Sequence, residues 1–343
     1  MIRARGFDVD YGRGQLARLV PDLGPWVAVT QPEPWEVLLP TLPGEPAEVV
    51  PAGDLRPAHL DAVAAALPDG ATAVVGIGGG SSMDTAKWLH WRTGLPLYQV
   101  PSLPSVDACF TRMTALRDGG GVRYEGDSVP EVVLVDFDLM WSAPRELVAG
   151  GIGDVLSCHT ALFDWQVGVD AGRDAPWDHD AAARAAEYLD DLETLAPLLA
   201  AGEDDGIRAL MECHRDIGWL CHELGHARFE EGSEHFWAYA FEHVTGRTIM
   251  HGELVTLGVL VMSTLQDNDP GRPRRIADTA GTRTDPGVLG VDPAEIEEAL
   301  VRLPSFVEEQ GLWYSVANGL TVGPAELEAV RAALGTGRGP DHA

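Results

Sequence analysis

Residues 72–87 read Thr72-Ala73-Val74-Val75-Gly76-Ile77-Gly78-Gly79-Gly80-Ser81-Ser82-Met83-Asp84-Thr85-Ala86-Lys87. A short apolar run leads into three consecutive glycines, and a helix-compatible stretch follows. The run has the length and composition of a buried strand. Glycines at the turn let the backbone approach a ligand closely, because no Cβ intervenes. The N-terminus of the following helix offers unpaired N–H groups and the positive end of the peptide dipole, which suits a diphosphate. Gly78, Gly79, Gly80 and Ser81 are therefore candidate dinucleotide-binding residues. Ser81, Ser82 or Asp84 can cap the helix, and Lys87, one turn in, is placed to reach back. A plain tight turn is the bland alternative. Lys87 is also the only lysine among 24 basic residues. Lysine is a compact point charge and arginine a wide planar fork, so a lone lysine marks a place the fork does not fit, unless chance put it there.

Around this turn, strand-like segments at 26–30, 48–50, 97–100 and 132–135 alternate with helical ones such as 57–67. Strand–helix alternation argues for a parallel, helix-covered sheet. From about residue 143 the pattern is helical: 181–199, 207–224, 251–265, 293–303 and 324–334, with Gly and Pro at the joints. The expectation is an α/β domain over 1–145 and a helical domain over 146–343. No internal repeat occurs, and the tail 335–343 reads as disordered.

The 343 residues are enough for two cores, and 45% of them are apolar, an ordinary globular value. No apolar run is long enough to span a bilayer, and residues 1–10 lack the core of a secretory leader. A cytoplasmic protein is expected. The net charge of −29 repels nucleic acid and acidic membranes, which are bound through clustered Lys and Arg. Four scattered cysteines with no CxxC pair suggest neither a zinc ribbon nor a disulfide framework.

Taken together, these residues resemble a known superfamily. Gly78 to Lys87 is similar to the GGGSxxDxAK signature shared by iron-containing alcohol dehydrogenases, glycerol dehydrogenases, sn-glycerol-1-phosphate dehydrogenases and dehydroquinate synthases. Pro101-Ser102-Leu103-Pro104-Ser105-Val106-Asp107-Ala108 resembles a glycerol dehydrogenase segment, as does Ala149-Gly150-Gly151-Ile152-Gly153-Asp154-Val155-Leu156-Ser157. Thr160-Ala161-Leu162-Phe163-Asp164-Trp165 is nearer the glycerol-1-phosphate branch. Gly232-Ser233-Glu234-His235 and His251-Gly252-Glu253 resemble the two histidine motifs. The resemblance runs over roughly residues 70–260. It implies a dehydroquinate synthase-like fold, with a Rossmann-like N-terminal domain and an all-α C-terminal one. It also implies NAD or NADP as cofactor, held by Gly78, Gly79, Gly80, Ser81, Asp84, Lys87, Ser102, Ser105 and Thr111. Asp107 would lie near the nicotinamide and the substrate hydroxyls, unless it merely forms a turn.

The same resemblance places one divalent metal, Zn²⁺ or else Fe²⁺, on Asp154, His235 and His251. One carboxylate and two imidazoles leave a coordination position open. A cation held there lowers the pKa of a substrate hydroxyl. Taken singly, Asp154 reads as a helix cap and each histidine as a core residue. Iron-type relatives carry a further His one turn after the Asp, where this chain has Cys158. At i+4 it either touches the metal or sits beside it as a small apolar residue.

A competing motif is His222-Glu223-Leu224-Gly225-His226, which fits the HExxH pattern of zinc proteases, with Glu242 or Glu253 as a third ligand. That reading leaves the glycine turn unexplained. The implied activity is reversible hydride transfer between the cofactor and a small alcohol or polyol, glycerol- or glycerol-1-phosphate-like. The alternative inside the superfamily is a non-redox sugar-phosphate cyclase, which a chain with one lysine fits poorly. From another class, a non-catalytic dinucleotide-binding protein would lack the metal set. Arg112 is a candidate anchor for an anionic substrate group or a partner for a surface carboxylate. His159 and His243 are candidate proton-transfer groups. Glu33, after the first strand, is a candidate ribose ligand favouring NAD. A homo-oligomer is allowed for, but nothing in the sequence fixes the oligomeric state.

Overall fold

The computed structural model describes residues 6–104, 107–118 and 121–336. Ser105 and the tail beyond 336 lie outside them. The chain divides into two compact units, Met1–Val148 with His214–Gly225, and Ala149–Cys213 with His226–Ala343.

The first unit runs β1 (Val9–Gly12), α1 (Gln15–Leu23), β2 (Trp26–Thr30), α2 (Pro32–Leu38), β3 (Glu48–Pro51), α3 (Pro57–Ala65), β4 (Ala73–Gly78), α4 (Gly80–Thr93), β5 (Leu97–Pro101), β6 (Thr114–Asp118), β7 (Gly121–Glu125), β8 (Val132–Asp136) and α5 (Phe137–Ser142), and α6 (Arg145–Ala149) closes it. Six strands form one sheet in the order β1-β8-β5-β4-β2-β3, with every pairing parallel. The alternation of side chains along each strand explains why both faces are covered. Trp26, Ala28, Ala73, Val75 and Ile77 pack on one face with Leu16, Val20 and Leu23 of α1. Val27, Val29 and Val74 pack on the other with Ala86 and Leu89 of α4. Each buried Val, Leu or Ile among them contributes about 1.5–3 kcal/mol by leaving water. The parallel sheet read from the sequence is therefore present, and the glycine turn sits at the carboxyl end of its interior strand β4.

Two features were not expected. β1 is a four-residue edge strand, Val9-Asp10-Tyr11-Gly12, too short and polar to show an apolar run. β6 and β7 form a separate antiparallel hairpin.

The second unit is helical, as expected: α7 (Gly153–Leu156), α8 (Cys158–Asp170), α9 (His179–Ala201), the first part of α10 (Asp204–Leu224), α11 (Ser233–Thr245), α12 (His251–Leu265), α13 (Gly271–Ala280), α14 (Pro293–Gln310) and α15 (Pro324–Leu334). α12 is its axis, buried from Gly252 to Ser263 and packed against α7, α8, α11, α13 and α15. A helix apolar on all sides belongs in a core. Among the described residues, no helix is long and apolar enough to cross a membrane.

Candidate functional site

The glycine turn in the first unit has a distinct job for each glycine. A Cβ on Gly76 would come within 2.8 Å of Ala86 Cβ, so this position lets α4 lie against β4. Gly78 has φ +139°, and a Cβ there would meet Ser82 Oγ at 2.6 Å. Gly79 caps α4 in an extended conformation, and Gly80 and Ser81 begin the helix. Ser102 N–H donates to Gly78 O at 2.9 Å, which sets Ser102 beside the turn. In parallel α/β sheets this end of the strands is where dinucleotides bind.

The residue after β2 that faces the turn is Gln31. Gly79 N–H donates to Gln31 Oε1 at 3.4 Å, and Gln31 Nε2 lies 3.4 Å from Ser81 Oγ. Glu33 instead falls in the first turn of α2, exposed. Pro32 starts that helix, and the helical register carries Glu33 away from the strand end.

Asp84, Lys87 and Thr111 come together in a different way from a phosphate cradle. Lys87 is 1% exposed. Its Nζ pairs with Asp84 Oδ1 at 2.9 Å and donates to Thr111 Oγ1 at 2.9 Å and Met113 O at 2.6 Å. An ammonium has three donors, and these three acceptors match them. Asp84 Oδ1 also accepts from Ala115 N–H at 3.2 Å. The group ties α4 to the chain entering β6, in a space suited to a point charge. Asp107 opens a short 3₁₀ turn, half-buried. Arg112 grips Asp127 with two bonds, of 2.5 and 2.6 Å, and its charge holds that carboxyl below the usual range.

In the second unit, Asp154, His235 and His251 each turn a ligand atom to one point, all within 4.8 Å of one another. Asp154 Oδ1 lies 3.3 Å from His251 Nε2 and 3.8 Å from His235 Nε2. Tetrahedral zinc with bonds of ~2.0–2.1 Å separates its ligands by roughly 3.3 Å. Asp154 Oδ1 is buried with no hydrogen-bond partner. A buried carboxylate oxygen without a hydrogen bond is costly, and a divalent cation at this point would satisfy it. Burial pushes the Asp154 carboxyl up, but the charge of His251 outweighs it and holds the group well below the carboxylate range. His235 is raised well above its usual value: burial works against its charge, and Asp154 and Glu234 overcome that. A site that draws in positive charge this strongly is chemically suited to a metal ion. Among the described residues, this is the one cluster of three such ligands.

Close backbone approaches place these three side chains. A Cβ on Gly153 would overlap Gly252 O, so α7 and α12 touch through their backbones, one residue from Asp154 and one from His251. A Cβ on Gly258 would lie 2.5 Å from Glu234 O, so α12 also meets α11 beside His235. A Cβ on Gly232 would come within 2.8 Å of Ala161 Cα, which seats the start of α11 on α8. A glycine adjacent to or shortly before each ligand was a signal available in the sequence.

Other candidates fall elsewhere. Cys158 is fully buried and outside the cluster, and burial pushes its thiol far up, so it stays a neutral apolar neighbour. His159 Nε2 lies 2.7 Å from Asn268 O, and burial lowers its pKa. His243 packs on Phe306. Glu253 is held by Arg283 at 2.5 and 2.8 Å. The HExxH reading fails on helix geometry. α10 ends at Leu224 and Gly225 takes φ +72°, so His222 and His226 do not share a helical face.

Several known proteins resemble this chain. Residues 47–144 match the family model described as iron-containing alcohol dehydrogenase. A glycerol-1-phosphate dehydrogenase [NAD(P)+] of Aeropyrum pernix is 30% identical over 227 residues, 66% of this chain. The chain spans 64% of that relative's length. One from Methanothrix thermoacetophila is 27% identical over 287 residues, 83% of this chain and 80% of the relative. In fold, the glycerol dehydrogenase of Schizosaccharomyces pombe aligns over 96% of this chain and 89% of its own, with TM-score 0.71 and 20% identity. An iron-containing alcohol dehydrogenase from Corynebacterium glutamicum aligns over 96% and 94%, with TM-score 0.67 and 18% identity. With its glycine turn and its Asp–His–His cluster, the chain is similar to iron-containing alcohol dehydrogenases and to glycerol-1-phosphate dehydrogenases.

Proposed function

We propose that this chain is a metal-dependent, NAD(P)-linked dehydrogenase. It interconverts a small polyol, of the glycerol or glycerol-1-phosphate class, with its ketone or aldehyde. The observation that carries the reading is the Asp154–His235–His251 cluster, with its unpartnered buried oxygen. The relatives named as glycerol-1-phosphate dehydrogenases favour the substrate class. Four scattered cysteines without a CxxC pair suit a reducing compartment such as the cytoplasm.

In this reading, Gly78, Gly79, Gly80 and Ser81 receive the cofactor diphosphate. The backbone is bare at the turn, and the start of α4 supplies N–H groups and a favourable dipole. Ser102, tied to Gly78 O, stands at the neighbouring strand end. Asp84, Lys87 and Thr111 act one layer back by holding α4 against β6. Asp154, His235 and His251 would hold the cation, Zn²⁺ or else Fe²⁺. When bound, that cation supplies Lewis acidity toward a substrate oxygen, favouring loss of the hydroxyl proton and hydride departure from carbon. The glycine contacts fix the spacing of these three side chains. Lys87, which a phosphate-gripping cyclase would want, is occupied by Asp84, Thr111 and Met113.

The test is a polyol panel. Zinc-loaded or iron-loaded protein is given NAD or NADP with glycerol, sn-glycerol 1-phosphate and related triols, and formation of reduced nicotinamide is followed. Turnover of at least one polyol or polyol phosphate is expected. No binding of either dinucleotide, and no turnover in metal-loaded protein, would overturn the proposal.

A further inference from the structure

Glu234 precedes a proposed ligand in the chain and is completely buried. Its Oε1 accepts from Gly232 N–H at 2.6 Å and lies 2.9 Å from His235 Nδ1. Its Oε2 accepts from Thr160 Oγ1 at 2.7 Å. A carboxylate offers only acceptors, so the Nδ1 contact requires a proton on Nδ1. In the neutral ring that leaves the lone pair on Nε2, the nitrogen that faces Asp154 at 3.8 Å. The first turn of α11 also suits a buried negative charge, because its N–H groups and dipole face Glu234. Thr160 lies on α8, 74 residues earlier in the chain. Asp164, one turn further along α8, accepts from Ser233 N–H at 2.7 Å. Two remote segments are thus clamped together around one imidazole.

We propose that Glu234 is a positioning residue of the metal site. It fixes the Nδ1–H tautomer and the ring plane of His235, so that Nε2 presents its lone pair to the cation, and Thr160 holds Glu234 in that pose. This rests on the metal reading given above. Partners of this kind behind a histidine ligand tune metal affinity by about 10–100-fold.

The test is Zn²⁺ affinity of the purified full chain, by competition with a chromophoric chelator, for the wild type, Glu234→Ala, Glu234→Gln and Thr160→Val. Glu234→Ala is expected to bind Zn²⁺ about 10–100-fold more weakly. Glu234→Gln keeps an oxygen to accept from Nδ1–H and Gly232 N–H, and its amide can donate to Thr160 Oγ1, so it should recover most of the loss. Thr160→Val should show a smaller loss. Nitrogen-15 NMR of the zinc-loaded protein should show the His235 proton on Nδ1 in the wild type and in Glu234→Gln. Equal affinity in all four proteins overturns the proposal. So does a Glu234→Gln variant as weak as Glu234→Ala, or a His235 proton on Nε2. Should Glu234→Ala fail to fold, the Gln and Val variants and the tautomer still decide. A wild type that binds no Zn²⁺ is a separate failure, of the metal reading itself.

Discussion

Asp164 lies under the first turn of α11 and accepts from Ser233 N–H at 2.7 Å and Val316 N–H at 2.9 Å. Burial, joined by the charge of Glu234, pushes its carboxyl up to about 6. A carboxyl raised in the folded state binds a proton more readily there than in the unfolded chain. Its contribution is therefore full below the ordinary carboxylate range and is lost as pH rises through about 6. Between pH ~4 and ~6 this amounts to about 3 kcal/mol. Urea unfolding of chelator-treated protein should show that fall in the wild type and not in Asp164→Asn; parallel pH profiles would refute it. Gln31 follows β2 and accepts from Gly79 N–H at the glycine turn; with the dinucleotide at that turn, as proposed, it would stand where an acid contacts ribose hydroxyls. Gln31→Asp should raise the NAD-to-NADP ratio of kcat/KM by about 10-fold or more, since a carboxylate repels a 2′-phosphate; an unchanged ratio would show that Gln31 does not face the ribose. That Asp154, His235 and His251 come together was legible because residue type within recognisable motifs pointed to them. Glu234, Gln31 and the inward-facing Lys87 were not, because their partners are distant in the chain and only the folded backbone brings them together.

Elements meet at this site through bare backbone. Gly153→Ala inserts a methyl group into the Gly252 carbonyl, and neither partner is a side chain that can swing away. The variant should lose about 2–3 kcal/mol and bind Zn²⁺ more weakly, because α7 and α12 separate beside two ligands. Gly319→Ala, with open space around it, should stay within about 0.5 kcal/mol of the wild type. Urea unfolding compares the two, and equal stability would mean that α7 can shift freely. Most elements could be read from periodicity, and the exceptions have local causes. Pro304 suggested that a helix ends at Leu303, yet α14 continues to Gln310, because Phe306 and Val307 are buried beyond the proline. The hairpin of β6 and β7 carries exposed residues such as Tyr124, so no apolar run announced it.

At the scale of the whole chain, a change of hydrophobic period near residue 143 led to the expectation of two domains meeting there. What sequence pattern did not reveal is that part of α10, His214–Gly225, belongs to the first unit. A continuous amphipathic helix carries no mark of where its partners change. The net charge of −29 also frames the Asp154 cluster, where a buried acid draws in positive charge. Most of that charge is solvated surface, whereas Asp154 is buried and aimed at two imidazoles. The metal reading is decided by metal content from elemental analysis of the wild type and Asp154→Ala, with polyol-dependent cofactor reduction followed on the same samples. About one zinc or iron per chain is expected in the wild type, with loss of both metal and turnover in a folded Asp154→Ala protein. A wild type that turns over polyol without bound metal, or an Asp154→Ala protein that retains both, would contradict it.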